Sequence, residues 1–244
     1  MMNHIYKYPR LYLNARFEKN GKIKLENEHA HYLKNVLRKS VGDHLRVFNG
    51  QNGEWLARIT DLGKKSGEVE LIEEIKAQPS LSKRVHLFFS PIKKQRMDFL
   101  IEKAVELGVT DLHPVLMNRT ESRKVNVERI EAQLIEAAEQ CERLDVPILQ
   151  DVVKLPLAVS AHEGLDLYAA MEREDGAQPI SSYSYTSDHG FIIGPEGGFD
   201  DAERAFLLSS AIHPVSLGNT ILRAETAVIS CLSYAKLSTL EANK

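Results

Sequence analysis

The stretch Phe191-Ile192-Ile193-Gly194-Pro195-Glu196-Gly197-Gly198-Phe199-Asp200-Asp201-Ala202-Glu203 decides the fold class. An apolar run enters a loop with three glycines in five positions. Asp200, with Glu203 three residues on, then opens a helix in the manner of a capping box. A buried strand passing through a short glycine loop into a helix is the repeating step of a parallel α/β sheet. Glycine lets such a loop approach a ligand or take φ > 0. The loop lacks the Gly-Lys-Ser/Thr end of a Walker loop and the GxGxxG dinucleotide fingerprint.

The same step recurs on both sides. Residues 85–89 predict a strand, and residues 94–107 a helix with Met97, Leu100, Ile101, Ala104 and Leu107 on one face, closed by Gly108. Strand 111–117, helix 127–143, strand 166–170, strand 215–217 and helix 224–237 complete the series, with 172–189 as a long polar surface loop. Before residue 76 the period shortens to strands at 11–13, 22–25, 44–48, 55–59 and 68–72. One helix over 28–38 interrupts them, with Ala30, Leu33, Val36 and Leu37 at helical spacing. Short strands at this spacing predict a small β-barrel. The expected organisation is a barrel over 1–76, a linker over 77–83 and an α/β domain over 84–244.

Composition fits. Of 244 residues 43% are hydrophobic and 27% charged, which excludes disordered and fibrous classes. No apolar run reaches the roughly 20 residues of a spanning helix, and the first residues lack a signal-peptide core. Two cysteines exclude a disulfide framework, and neither forms a CxxC pair. A cytoplasmic protein with no membrane partner and no metal is expected. Residues 1–80 carry 14 Lys and Arg against 10 Asp and Glu, and the remainder 17 against 24, so the net charge of −3 hides a basic first unit and an acidic second. Cys141 and Cys231 are expected in the core. His29 and His31 would point to different helix faces. His113-Pro114 and His213-Pro214 read as turn or packing features near strand starts.

A second loop, Ser216-Leu217-Gly218-Asn219-Thr220-Ile221-Leu222, leads into Arg223-Ala224-Glu225-Thr226-Ala227. Glu225 suits the positive end of the helix that follows, whereas Arg223 opposes it and calls for an anion or a functional task.

Together these two loops resemble the paired cofactor loops of SPOUT methyltransferases. Over nearly its whole length the chain resembles the RsmE family, which methylates N3 of a uridine in bacterial small-subunit (16S) ribosomal RNA. Arg96-Met97-Asp98 with Ile101 to Val109 is similar to the family's first methyltransferase helix, and Glu136 to Arg143 with Pro147 to its second. His31-Tyr32-Leu33, Val36-Leu37-Arg38, Val41-Gly42-Asp43 and Phe48-Asn49-Gly50 resemble its PUA-like RNA-binding domain. The resemblance implies a deep trefoil knot, a homodimer and S-adenosylmethionine as cofactor. It assigns cofactor contacts to Ala170 and Met171, to Gly194, Gly197 and Gly198, and to Leu217, Gly218, Asn219, Ile221 and Leu222. Family members often carry Arg just before the Ile-Leu-Arg stretch. Thr220 stands there, so any role of that Arg is absent or supplied elsewhere.

Methyl transfer to uracil N3 needs an accessible base, removal of the N3 proton and donors for charge developing on the carbonyls. Arg223 is the first choice as charge stabiliser, with Glu225 orienting it or accepting a proton and Thr226 capping the helix. A solvent base is equally compatible. Contacts to RNA phosphates are assigned to Arg38, Lys39 and Arg46, and beyond the linker to Lys93, Lys94, Arg96, Arg119 and Arg123. A related enzyme acting on another RNA such as transfer RNA, or a non-catalytic RNA-binding assembly factor, is the alternative.

Overall fold

The computed structural model describes residues 2–172 and 174–242; Met1, Arg173, Asn243 and Lys244, which fall within the expected domain spans, lie outside the described residues. The chain divides into two units, 1–80 with 138–145, and 81–137 with 146–244.

The first unit holds β1 (Arg10–Tyr12), β2 (Lys22–Leu25), β3 (His44–Phe48), β4 (Glu54–Leu62) and β5 (Gly67–Lys76). They form one sheet in the order β1-β3-β4-β5-β2, antiparallel except where β1 lies beside β3. Alternation sets the faces: in β2, Ile23 and Leu25 are buried while Lys22 and Lys24 face water. Three register shifts between β4 and β5 bend the sheet around a core that includes Leu33, Leu45, Val47, Ile59 and Leu71. The predicted helix is shorter than its periodicity implies. After α1 (Asn27–His31) the backbone widens into a π-turn over Tyr32–Val36, and Arg38 then takes φ 52°. Leu33 stays buried, but Val36 is rotated into solvent, off the predicted apolar face.

The second unit carries β6 (Val85–Phe89), α2 (Lys94–Glu106), β7 (Asp111–Leu116) and α3 (Val127–Gln140), whose last turn belongs to the first unit. Then follow β8 (Ile148–Leu149), β9 (Val153–Lys154), α4 (Leu155–Ser160), β10 (Asp166–Ala170), β11 (Gln178–Pro179) and β12 (His189–Ile193). The chain ends with α5 (Asp201–Ser209), β13 (Ile212–Ser216) and α6 (Ala224–Ala242). The sheet runs β11-β13-β10-β12-β6-β7-β8 with β9 also beside β7, and every pairing is parallel. Every residue of β12, at its centre, is buried, as a strand covered on both faces requires. α2 buries Met97, Leu100, Ile101 and Ala104 as its spacing predicts, and Gly108 at φ 99° closes it. The fold class is therefore the expected one: a mostly parallel α/β unit preceded by a small β unit.

Several local readings change. Residues 172–189 are no plain surface loop, because they contain β11, and Tyr185 is buried against Tyr168 and Phe191. His213 and Pro214 lie inside β13, where proline is tolerated because β11 pairs with only two of its residues, Val215 and Ser216. His113, by contrast, is the third residue of β7 and packs buried against the Phe88 ring, a packing position near a strand start as read from the sequence. Cys231 is in the core, but Cys141 lies past the end of α3 and is only half-buried.

Candidate active site

Strands β13, β10 and β12 are neighbours, and register keeps their carboxyl ends level: Ala169 pairs with Ile192 on one side and Pro214 on the other. Residues that follow all three strands line a single cleft of about 450 Å³. Ala170, Met171 and Glu172 come from the end of β10, and Gly194 to Phe199 from the loop after β12. Ile221, Leu222 and Arg223 approach from the segment before α6, and Arg96, Arg119 and Arg204 add cationic groups. Its size is that of a small-molecule site, and its position outside the carboxyl ends of parallel strands is where such sheets bind ligands.

The glycine loop is held over its second half and by the helix that follows it. The Asp200 carboxylate accepts from the Glu203 N–H at 2.8 Å while Glu203 Oε2 accepts from the Asp200 N–H at 3.0 Å, the reciprocal capping box that the sequence predicts. Asn118, after β7, ties both acids down: its N–H donates to Glu203 Oε1 at 2.6 Å and its amide to Asp200 Oδ2 at 2.7 Å. The Glu203 N–H and the Asn118 amide hold the Asp200 carboxyl below its ordinary range. Arg119 Nη1 donates to the carbonyls of Gly197 at 2.8 Å and Phe199 at 3.3 Å. Gly198 takes φ 68°, and a Cβ on Gly194 would come within 3.3 Å of the Phe199 ring.

Arg96 occupies the acidic side of the cleft, with Nη1 3.5 Å from Glu196 Oε1 and Nε 3.9 Å from Glu225 Oε1. Glu225 is buried, and its Oε2 has no hydrogen-bond partner among the described residues. It does not line the cleft. The cation beside it is therefore Arg96 rather than Arg223, which stands exposed at the cleft wall.

Of the expected cofactor contacts, Ala170, Met171, Gly194, Gly197, Gly198, Ile221 and Leu222 are brought together in the cleft. Leu217, Gly218 and Asn219 are not. Gly218 turns at φ 123°, and it and Asn219 are exposed. Of the expected RNA contacts, Arg46 is buried, 3.6 Å from Glu54 and 2.8 Å from Glu142, so it offers no surface charge. Arg96 and Arg119 belong to the cleft wall. Arg38, Lys93, Lys94 and Arg123 are exposed and Lys39 is half-buried. Sequence reasoning missed Asn118 and Arg204. The sole local hint was the position of Arg204 in the first turn after a capping box.

Comparisons with known proteins bear on this geometry. An RNA methyltransferase domain matches residues 79–236, and an RNA methyltransferase PUA domain matches residues 25–72. The chain is 40% identical over 235 residues to Ribosomal RNA small subunit methyltransferase E of Rickettsia conorii, covering 95% of this chain and 96% of that one. The enzyme of the same name from Neisseria gonorrhoeae, solved bound to S-adenosyl methionine, superposes with a TM-score of 0.85 at 28% identity, covering 94% and 97% of the two chains. A Legionella pneumophila chain solved with bound SAM gives 0.86 at 29% identity, covering 95% and 98%.

Proposed function

The chain belongs to the RNA methyltransferase family with an associated PUA domain, and on that premise we propose that it methylates N3 of a uridine in 16S ribosomal RNA of the small ribosomal subunit, using S-adenosylmethionine. The observation that carries this reading is the convergence of three loops from adjacent strand ends on one cleft. The cleft suits such a cofactor. Ala170, Met171, Ile193 and Leu222 offer apolar surface for an adenosine, and the Gly194–Gly198 backbone allows close approach. Glu172 and Glu196 supply negative charge for a cationic ligand. When bound, the cofactor supplies an electrophilic methyl group on a good leaving group. The protein's task is then alignment and exclusion of water.

Arg223, exposed at the cleft wall, is proposed to donate to the uracil carbonyls as N3 loses its proton, since a guanidinium stays charged and presents a planar fork. Glu225 acts at one remove: buried behind Arg96, it positions that guanidinium against the loop that carries Glu196. Arg38 and Lys39 in the first unit, and Lys93, Lys94 and Arg123 in the second, are proposed to contact RNA phosphates. Residues 1–76 are proposed as the RNA-binding domain, 77–83 as a linker and 84–244 as the methyltransferase domain, knotted at its carboxyl end. A second copy is proposed to cover Ile221 and Leu237, which are 66% and 59% exposed. Among the described residues no helix is long and apolar enough to cross a membrane, and action in the cytoplasm, where ribosomal subunits are built, is proposed. Purified chain and labelled S-adenosylmethionine should place a methyl group on a uridine of unmodified small subunits. Absence of label from uridine would refute the reading.

A further inference from the structure

At the other end of the second unit's sheet from the cleft lies a cluster that the proposed methyl transfer does not use. His86 is the second residue of β6, His113 the third of β7, and His162 follows α4. One ring nitrogen from each lies within 4.8 Å of the other two. His86 Nδ1 is 3.0 Å from His113 Nε2. His162 Nδ1 is 2.8 Å from the carbonyl of Ala158, which fixes that nitrogen as the donor and leaves Nε2 with a lone pair.

From this geometry we infer that His86, His113 and His162 form a binding site for one divalent late transition metal ion of the zinc class. Two features support the assignment. Three imidazoles with one further position open to water or another ligand are an established zinc set, and imidazole suits zinc better than the hard cations. The residues behind the ligands are those that metal-bound histidines use. The Ala158 carbonyl orients His162, and Asp111 Oδ2 stands 3.9 Å from His86 Nε2. Asp111 is in turn held by Thr110 Oγ1 at 2.7 Å and Arg84 Nε at 3.0 Å, which fixes its carboxylate in place beside His86. His86 Nδ1 and His113 Nε2 share one proton; when an ion takes both nitrogens, that proton moves to the other nitrogen of the ring that carried it, which for His86 is Nε2, on the side of Asp111. Half-buried His162 gives an ion its route from solvent. Bound there, the ion would tie β6 and β7 to the turn after α4. The histidines are far apart in sequence, so no spacing motif announces them.

The test uses tag-free full-length protein, stripped with chelator and titrated with Zn²⁺ and with Co²⁺. The inference predicts one tight equivalent per chain, cobalt visible bands of a tetrahedral nitrogen site and a higher Tm with Zn²⁺. His162→Gln, changed at the half-buried ligand so that the fold survives, should bind at least about tenfold more weakly and lose the Tm response. His113→Gln should lose tight binding as well if it folds. Absence of a tight equivalent in the wild type, or unchanged affinity in His162→Gln, would overturn the assignment and leave the cluster a stack of hydrogen-bonded rings.

Discussion

Arg96 Nε lies 3.9 Å from Glu225 Oε1, while the second oxygen of that buried carboxylate has no hydrogen-bond partner among the described residues. A carboxylate held this way contributes little to stability, because its desolvation is only partly offset by a long ion pair. Its value lies in where it holds Arg96. Glu225→Gln should therefore lower turnover about tenfold, roughly 1.4 kcal/mol, without lowering the Tm. Steady-state methylation and thermal melting check both halves. A fall in Tm with unchanged turnover would make Glu225 structural.

Arg223→Ala should reduce methylation about a hundredfold to a thousandfold, the usual loss for a donor to developing negative charge. Cofactor affinity by calorimetry should change only a few-fold. Near-wild-type turnover would remove Arg223 from the chemistry.

Arg119 reaches across from the turn after β7 to the carbonyls of Gly197 and Phe199. Arg119→Ala should loosen the glycine loop and weaken S-adenosylmethionine binding about tenfold, since a charged donor contributes about 1.5–3 kcal/mol and solvent exposure discounts it. Calorimetry with the bound ligand reads this directly, and unchanged affinity would show that the loop keeps its shape unaided.

The acid arm of the stability profile carries a further prediction. Asp200 is held below its ordinary value, so its contribution is fully present above the unfolded pKa and is lost as pH falls through the lower folded one. Asp200→Asn should flatten the loss of Tm between neutral and acid pH. An unchanged slope would mean that the cap titrates as it does in the unfolded chain.

Much of this architecture is legible in the sequence. Val85–Phe89, Asp166–Ala170 and the capping box at Asp200 are local signals: apolar runs, or a pair three residues apart. The cleft was half legible. Gly194, Gly198 and Ile221 sit in recognisable loops, but Arg96 and Arg119 read as surface cations because nothing local places them against Glu196 or Gly197. Arg46 misled for the opposite reason. Alternation along β3 does not reveal that Glu54 and Glu142 will meet it inside. Long-range pairing decides such cases, and sequence spacing does not encode it.

Exposed Arg38 and neighbouring Lys39 give the RNA reading its own test. Changing both to Glu should weaken binding to ribosomal RNA and reduce the slope of log affinity against log salt by about one for each phosphate no longer neutralised. S-adenosylmethionine affinity should stay as it is. An unchanged salt slope would move the RNA surface elsewhere.

The most direct measurement is mass mapping of 16S ribosomal RNA from cells that lack this protein, complemented with the wild type or with Arg223→Ala. The predicted result is a single N3-methyluridine missing in the deletion, restored by the wild type and not by Arg223→Ala. An unaltered set of methylated uridines in the deletion strain would contradict it.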